Sequence, residues 1–147
     1  MRSSIGVALW LAAGLAGPAA AEDWYRIASS DNSVDYADAD TVRSFGDLVS
    51  VDVVRGFGEP EGPAGYLKIA VDVSCADNRF RISRGVAYDL QRQSLSTDEI
   101  VTEWQAIAAN SIAEKVRRFT CDGALRGAPV ANPFDDADAY WSSDYDA

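Results

Sequence analysis

From residue 66 to residue 75, apolar and polar side chains alternate without a break. Leu67, Ile69, Val71, Val73 and Cys75 share one parity, and Tyr66, Lys68, Ala70, Asp72 and Ser74 share the other. This period of two predicts a half-buried strand. After the turn signal Asp77-Asn78, Phe80, Ile82, Val86, Tyr88 and Leu90 repeat the pattern on a return strand. A two-residue turn pairs Cys75 with Phe80 and Val73 with Ile82, both inward. Lys68, Asp72, Arg79 and Arg81 then share the outer face. Arg84 breaks the alternation, since it would face inward. The glycine after it points to a bulge, or to a sheet exposed on both sides near that end.

The rest of the body extends this pattern. Trp24 to Ser29 reads as a short strand, Asp31-Asn32-Ser33 as a turn, and Val34 to Ala37 as a second strand. Asp38 is suited to cap one helical turn. Leu48 to Arg55 alternates through Val49, Val51 and Val53, and the glycines and prolines of Gly56 to Gly65 predict a loop. Beyond residue 96 the period changes. Ile100, Trp104 and Ile107 form one helical stripe and Ile112, Val116 and Phe119 another, rotated by roughly 120° at ~100° per residue. One helix cannot bury both against a sheet. The spacings Ser96/Glu99 and Ser111/Glu114 are capping boxes on either side of a break. A helix is expected from about Ser111 to Thr120, ending at Cys121-Asp122-Gly123. Residues 97–108 are either a separate helix or an extended segment carrying Trp104 into the core. The segment 122–147 holds six aspartates, one arginine and two prolines, a composition expected to stay mostly disordered. Its aromatics Tyr140, Trp141 and Tyr145 are a candidate recognition element.

The N-terminus changes the picture of where this domain works. Arg2 precedes an eleven-residue apolar run, Ile5 to Leu15, too short to span a bilayer, and Ala19-Ala20-Ala21 suits a signal peptidase. Residues 1–21 are expected to be a signal peptide cleaved between Ala21 and Glu22. The expected product is exported, to the periplasm or beyond, with no membrane span and no lipid-anchoring cysteine. The remaining 126 residues suit one domain, 22–121, followed by the acidic tail 122–147. Without Arg2 the chain carries 12 basic and 23 acidic residues, a net charge of −11. That argues against nucleic acid or anionic lipid as the main partner and is compatible with a basic protein.

Export also gives the two cysteines a meaning. In an oxidising compartment Cys75 and Cys121 are expected to pair, stapling the end of the helix across the sheet's buried face. The bond closes 46 positions, worth ~4 kcal/mol in the chain-entropy picture. The chain has no histidine, which excludes Ser–His and Cys–His nucleophiles and histidine zinc sites. The clusters Asp35/Asp38/Asp40 and Asp135/Asp136/Asp138 lack calcium-loop spacing. The glycines at 56, 58, 62 and 65 match no phosphate loop. No catalytic residue, cofactor or metal is expected.

Taken together, Trp24, Tyr36-Ala37-Asp38, Val42-Arg43, Val49 to Val54, Val73-Ser74-Cys75, Arg79-Phe80-Arg81, Tyr88, Trp104-Gln105-Ala106-Ile107, Ser111 and Phe119-Thr120-Cys121 resemble the surface-adhesin protein E family of Gram-negative bacteria over Asp23 to Cys121. The resemblance implies an α+β fold: a single antiparallel sheet of about six strands with a C-terminal helix packed on one face. It also implies a non-enzymatic module, in a family whose named member binds host matrix and serum glycoproteins. The shared residues are structural, so no binding residue carries over. The expected function is an exported protein-binding module contacting a host matrix glycoprotein or an envelope protein. Lys68, Arg79, Arg81, Tyr140 and Trp141 are its candidate contact residues. The alternative is a periplasmic accessory or inhibitor-like protein acting on an envelope enzyme through the tail. A carboxylate-based hydrolase comes third.

Overall fold

A computed structural model describes residues 23–60, 62–95 and 100–145. The expected signal peptide, the Ala21/Glu22 cleavage point and the Ser96/Glu99 capping box lie outside the described residues.

The elements run β1 (Trp24–Ser29), β2 (Ser33–Asp38), a 3₁₀ turn (Ala39–Thr41), β3 (Arg43–Phe45), β4 (Leu48–Phe57), β5 (Tyr66–Ser74), β6 (Arg79–Tyr88), β7 (Gln105–Ala106), α1 (Ile112–Asp122) and α2 (Pro133–Tyr145). All seven strands join one antiparallel sheet, ordered β1-β2-β4-β5-β6-β7. The ten-residue β4 shares one edge between two partners. β2 pairs with Val53–Phe57 and β3 with Leu48–Ser50. The 3₁₀ turn fills the gap between them. The Asp38 carboxylate accepts the Asp40 N–H at 2.9 Å, and the Asp52 N–H donates to the Thr41 hydroxyl at 2.8 Å.

α1 covers one face. Phe119 and Val116 pack with Ile27, Ala37, Val51, Val53, Val71 and Val73. Its ends follow the sequence closely: the Ser111 hydroxyl accepts the Glu114 N–H, and Gly123 closes the helix at φ +65°. Cys75 and Cys121 are bonded and lie against this core.

Several expectations change. The β5–β6 connection has four residues, Cys75 to Asn78, so Val73 pairs with Phe80 and Val71 with Ile82. This slides the register by two residues, and every side chain keeps its face. The bulge is real, and Ser83 is the extra residue. It returns Arg84 to the outer face and takes Val86 and Tyr88 with it, reversing their expected inward orientation. The strand containing Val49 to Arg55 runs on through Gly56 and Phe57, so the loop is shorter than Gly56–Gly65. The described part of 97–108 is extended, and it carries Ile107 into the core rather than Trp104, which stays half-exposed.

The largest correction concerns the tail. Residues 133–145 are helical and packed, where disorder was expected. α2 covers the other face of the sheet at its β1–β2 end, over Trp24, Val34, Tyr36, Val54 and Tyr66. The aspartates that marked this segment as solvated are bonded to the sheet. Asp136 takes the Tyr36 hydroxyl at 2.6 Å and the Arg26 guanidinium at 2.5 Å. Asp138 takes the Tyr66 hydroxyl, and Arg92 reaches Asp135 at 2.5 Å and Asp138 at 3.0 Å. β2 is consequently buried on both faces.

Candidate functional surface

α2 leaves the rest of the outer face open. β3, β4, β5 and β6 there form an open groove of about 540 Å³, floored by Ser50, Asp52 and Ala70 and flanked by Arg43, Phe45 and Arg84. Each wall has a local cause. Gly46, at φ +60°, lets β3 turn into β4 in two residues. That leaves Phe45 at the tip, 65% exposed. Arg43 is held by the carbonyls of Asp40 at 2.6 Å and Val42 at 2.8 Å. The Ser83 bulge aims Arg84 across the sheet to Asp52, at 3.7 Å with its side chain 71% exposed.

Two carboxylates tie the cations together. Asp52 also meets Lys68 at 3.7 Å, and Asp72 pairs with Arg81 at 3.0 Å. Arg81 lies over the Trp104 ring at 4.8 Å, so the half-exposed indole is the platform for a cation. Arg79 sits exposed at the strand end, its guanidinium on the Trp104 carbonyl at 3.5 Å. Arg43, Lys68, Arg79, Arg81 and Arg84 therefore cluster around Asp52 and Asp72, on a chain whose formal net charge is −10.

Of the expected contact residues, Lys68, Arg79 and Arg81 belong to this surface, and Tyr140 and Trp141 do not. Tyr140 stacks edge-on to Trp141 and under Arg26, and the Trp141 ring lies against Gly58. Both are packed onto the second core. The sequence reading missed Arg43, Phe45 and Arg84 as contact residues. A signal for Arg84 was present, because it is the residue that broke the strand alternation.

The perturbed titrating groups lie away from the groove. Burial, then the bond to Asp138, pushes the Tyr66 phenol up to about 12, and burial with Asp136 raises Tyr36 further. Burial opposes ionisation of Asp136, but the Tyr36 and Arg26 hydrogen bonds hold it below the usual carboxylate range. On the α1 face burial raises Asp35 despite its pairing with Arg55. These groups lock elements together. Among the described residues no cluster of His, Cys, Asp and Glu could hold a metal ion, and no helix is long and apolar enough to cross a membrane.

Residues 24–122, the whole stretch from β1 through α1, match the surface-adhesin protein E family. The chain belongs to that family. Two crystal structures of Haemophilus influenzae protein E share the fold. One, crystal form II, has 16% identity and a TM-score of 0.53, covering 69% of this chain and 88% of that one. The other has 16% identity and a TM-score of 0.51, covering 72% and 89%. No curated protein matches the sequence. α2 lies beyond the matched span.

Proposed function

We propose that this adhesin E-family protein is an exported, non-enzymatic module that binds an acidic surface of another protein through the outer-face groove. The partner class is a host matrix glycoprotein or an envelope protein. The observation that supports this most is the concentration of Arg43, Lys68, Arg79, Arg81 and Arg84, beside exposed Phe45 and half-exposed Trp104, on an otherwise acidic chain. Aromatic side chains and arginines are the residue types that dominate binding at protein interfaces, and complementary charge speeds encounter. Among the described residues Arg84 is held by a 3.7 Å contact to Asp52, so a partner carboxylate can compete for it.

The test is capture on immobilised matrix glycoproteins and from envelope extract, side by side, using wild type and the double variant Arg43→Glu, Arg84→Glu. Wild type should retain partner in a salt-sensitive manner. The variant should lose it while keeping its circular dichroism spectrum. Equal capture by both proteins would overturn this assignment. The accessory-protein alternative needs Tyr140 and Trp141 exposed, so it predicts stronger capture when α2 is undocked.

A further inference from the structure

The α1 face holds a second concavity, separate from the groove proposed for protein binding. α1 packs mainly on β1 and β4, and its first residues Ile112 and Ala113 border a gap over β5 and β6. The gap is a cavity of about 240 Å³ lined by Leu67, Ile69, Phe80 and Ile82 from the sheet and by Ile112 and Ala113 from the helix. These side chains are half-buried rather than closed over, although the rest of this face is a packed core.

One polar pair interrupts the apolar wall. Asp35 and Arg55 line the same cavity. Asp35 is 1% exposed, and its carboxylate receives the Arg55 Nε at 2.8 Å and the Ser33 hydroxyl at 3.5 Å. The Arg55 side chain is 32% exposed, and beyond this Nε contact its guanidinium makes no other hydrogen bond among the described residues. A guanidinium offers five donors in a fixed fork suited to carboxylates. Asp35 takes the Nε–H, which leaves the Nη donors for another acceptor. A ligand can reach the guanidinium but not the carboxylate, so the accessible charge is positive.

We infer that this cavity binds a small single-chain amphiphile bearing one carboxylate. The alkyl chain lies along Leu67, Ile69 and Ile82, and the head group sits on the Nη edge of Arg55. The size supports a single short chain, because the volume falls just below the ~300–1,000 Å³ of drug-sized ligand sites. The composition fits too: mostly apolar walls with one oriented polar group are the usual make-up of a small-molecule site. Arg55 and its neighbours lie across the sheet from Arg43 and Arg84, so this site can be present whether or not the outer groove binds protein.

The experiment is an amide chemical-shift titration of the chain lacking residues 1–21 with decanoate, decanol and decylamine, each below its micelle concentration. Decanoate should saturate, moving the amides of Arg55, Ile69, Ile82 and Ala113. Decanol and decylamine should bind at least roughly tenfold more weakly, the size of a lost charge-assisted hydrogen bond. Arg55→Gln should remove most of that preference. Because Arg55→Gln also strands Asp35, the filling variant Ala113→Phe serves as a second probe. It should keep the fold and abolish the shifts. No saturable shift with decanoate, equal binding of all three head groups, or undiminished binding by Ala113→Phe would each overturn the site.

Discussion

The docking of α2 depends on one close backbone approach, which allows a sharp test. A Cβ placed on Gly56 would stand 2.7 Å from the Cβ of Ala137, 3.5 Å from Val34 Cγ1 and 3.8 Å from Tyr66 Cδ1. Carbon atoms rest at ~3.5–4.0 Å, so Gly56→Ala requires α2 to move outward by about 1 Å. Ala137 is fully buried and cannot rotate away, because its Cβ is its whole side chain. The helix is also pinned on both sides of the contact by Asp136 and Asp138. Overpacking of this kind costs ~1–3 kcal/mol. It acts against two tyrosine hydroxyls on charged carboxylates, each worth ~1.5–3 kcal/mol, a partly exposed Arg26–Asp136 pair worth ~0–1 kcal/mol, and the apolar packing of Phe134, Tyr140 and Trp141. The strain therefore loosens α2 without displacing it. Gly56→Ala should increase protease cleavage in the connection 123–132 while leaving the disulfide-closed α1 core folded. Ala137→Gly alone should cost about 1 kcal/mol through helix propensity. The double variant should be more stable than the sum of the two by ~1–3 kcal/mol, within the range for contacting residues. The measurement is a double-mutant cycle by urea unfolding, with proteolysis as the local readout. Additive costs, or unchanged cleavage in Gly56→Ala, would mean that α2 does not rest on β4.

Other expected outcomes concern different parts of the molecule. Replacing Cys75 and Cys121 by serine should lower stability by ~4 kcal/mol, checked by denaturant midpoints, and a reducing agent should then have no further effect. Ser111→Ala should cost ~1 kcal/mol by removing the acceptor of the Glu114 N–H, with amide exchange quickening first at the start of α1. Two carboxylates, Asp35 buried and Asp136 half-buried, should give opposite responses to acid. Burial raises Asp35, so the folded chain takes up that proton at higher pH than the unfolded chain does. Stability from this group grows as pH falls through its raised folded value toward the ordinary carboxylate range. Asp136 is held low, so its stabilisation is complete above the ordinary range and is lost as pH falls through the depressed value. Hydrogen exchange against pH should show α1-face amides firming in mild acid and α2 releasing in stronger acid. Asp136→Asn should suppress only the second change.

What the sequence made legible was local. Alternation placed Val71, Val73 and Phe80 on the core face, and that assignment survived a two-residue error in register because parity is unchanged by such a slip. α1 was readable at both ends, since Ser111, Glu114 and Gly123 act on backbone groups within one turn of themselves. The outer-face surface was half readable. Lys68, Arg79 and Arg81 followed from strand parity, while Arg43 and Phe45 needed β3 to share an edge of β4 with β2, a long-range fact. α2 was misread for a related reason. Its charge suggested solvation, yet Asp136 binds Arg26 and Tyr36 at separations of 110 and 100 residues. No local pattern encodes such a partner.

One local signal at α2 was nevertheless available. Asn132-Pro133 followed by Asp135 and Asp136 is a helix start: the Asn132 side chain accepts the N–H groups of Phe134 at 2.9 Å and Asp135 at 3.2 Å. Proline tolerates the first helical position because its missing N–H would have no partner there, and carboxylates in the first turn meet the positive end of the helix dipole. The same aspartates thus act twice, once on their own helix and once on distant cations and phenols. Composition counted their charge and could not see its destination. The wider consequence is for the outer face. β2 is buried on both sides because α2 covers it, and the half that α2 leaves open is where the Arg84 side chain and Phe45 are exposed.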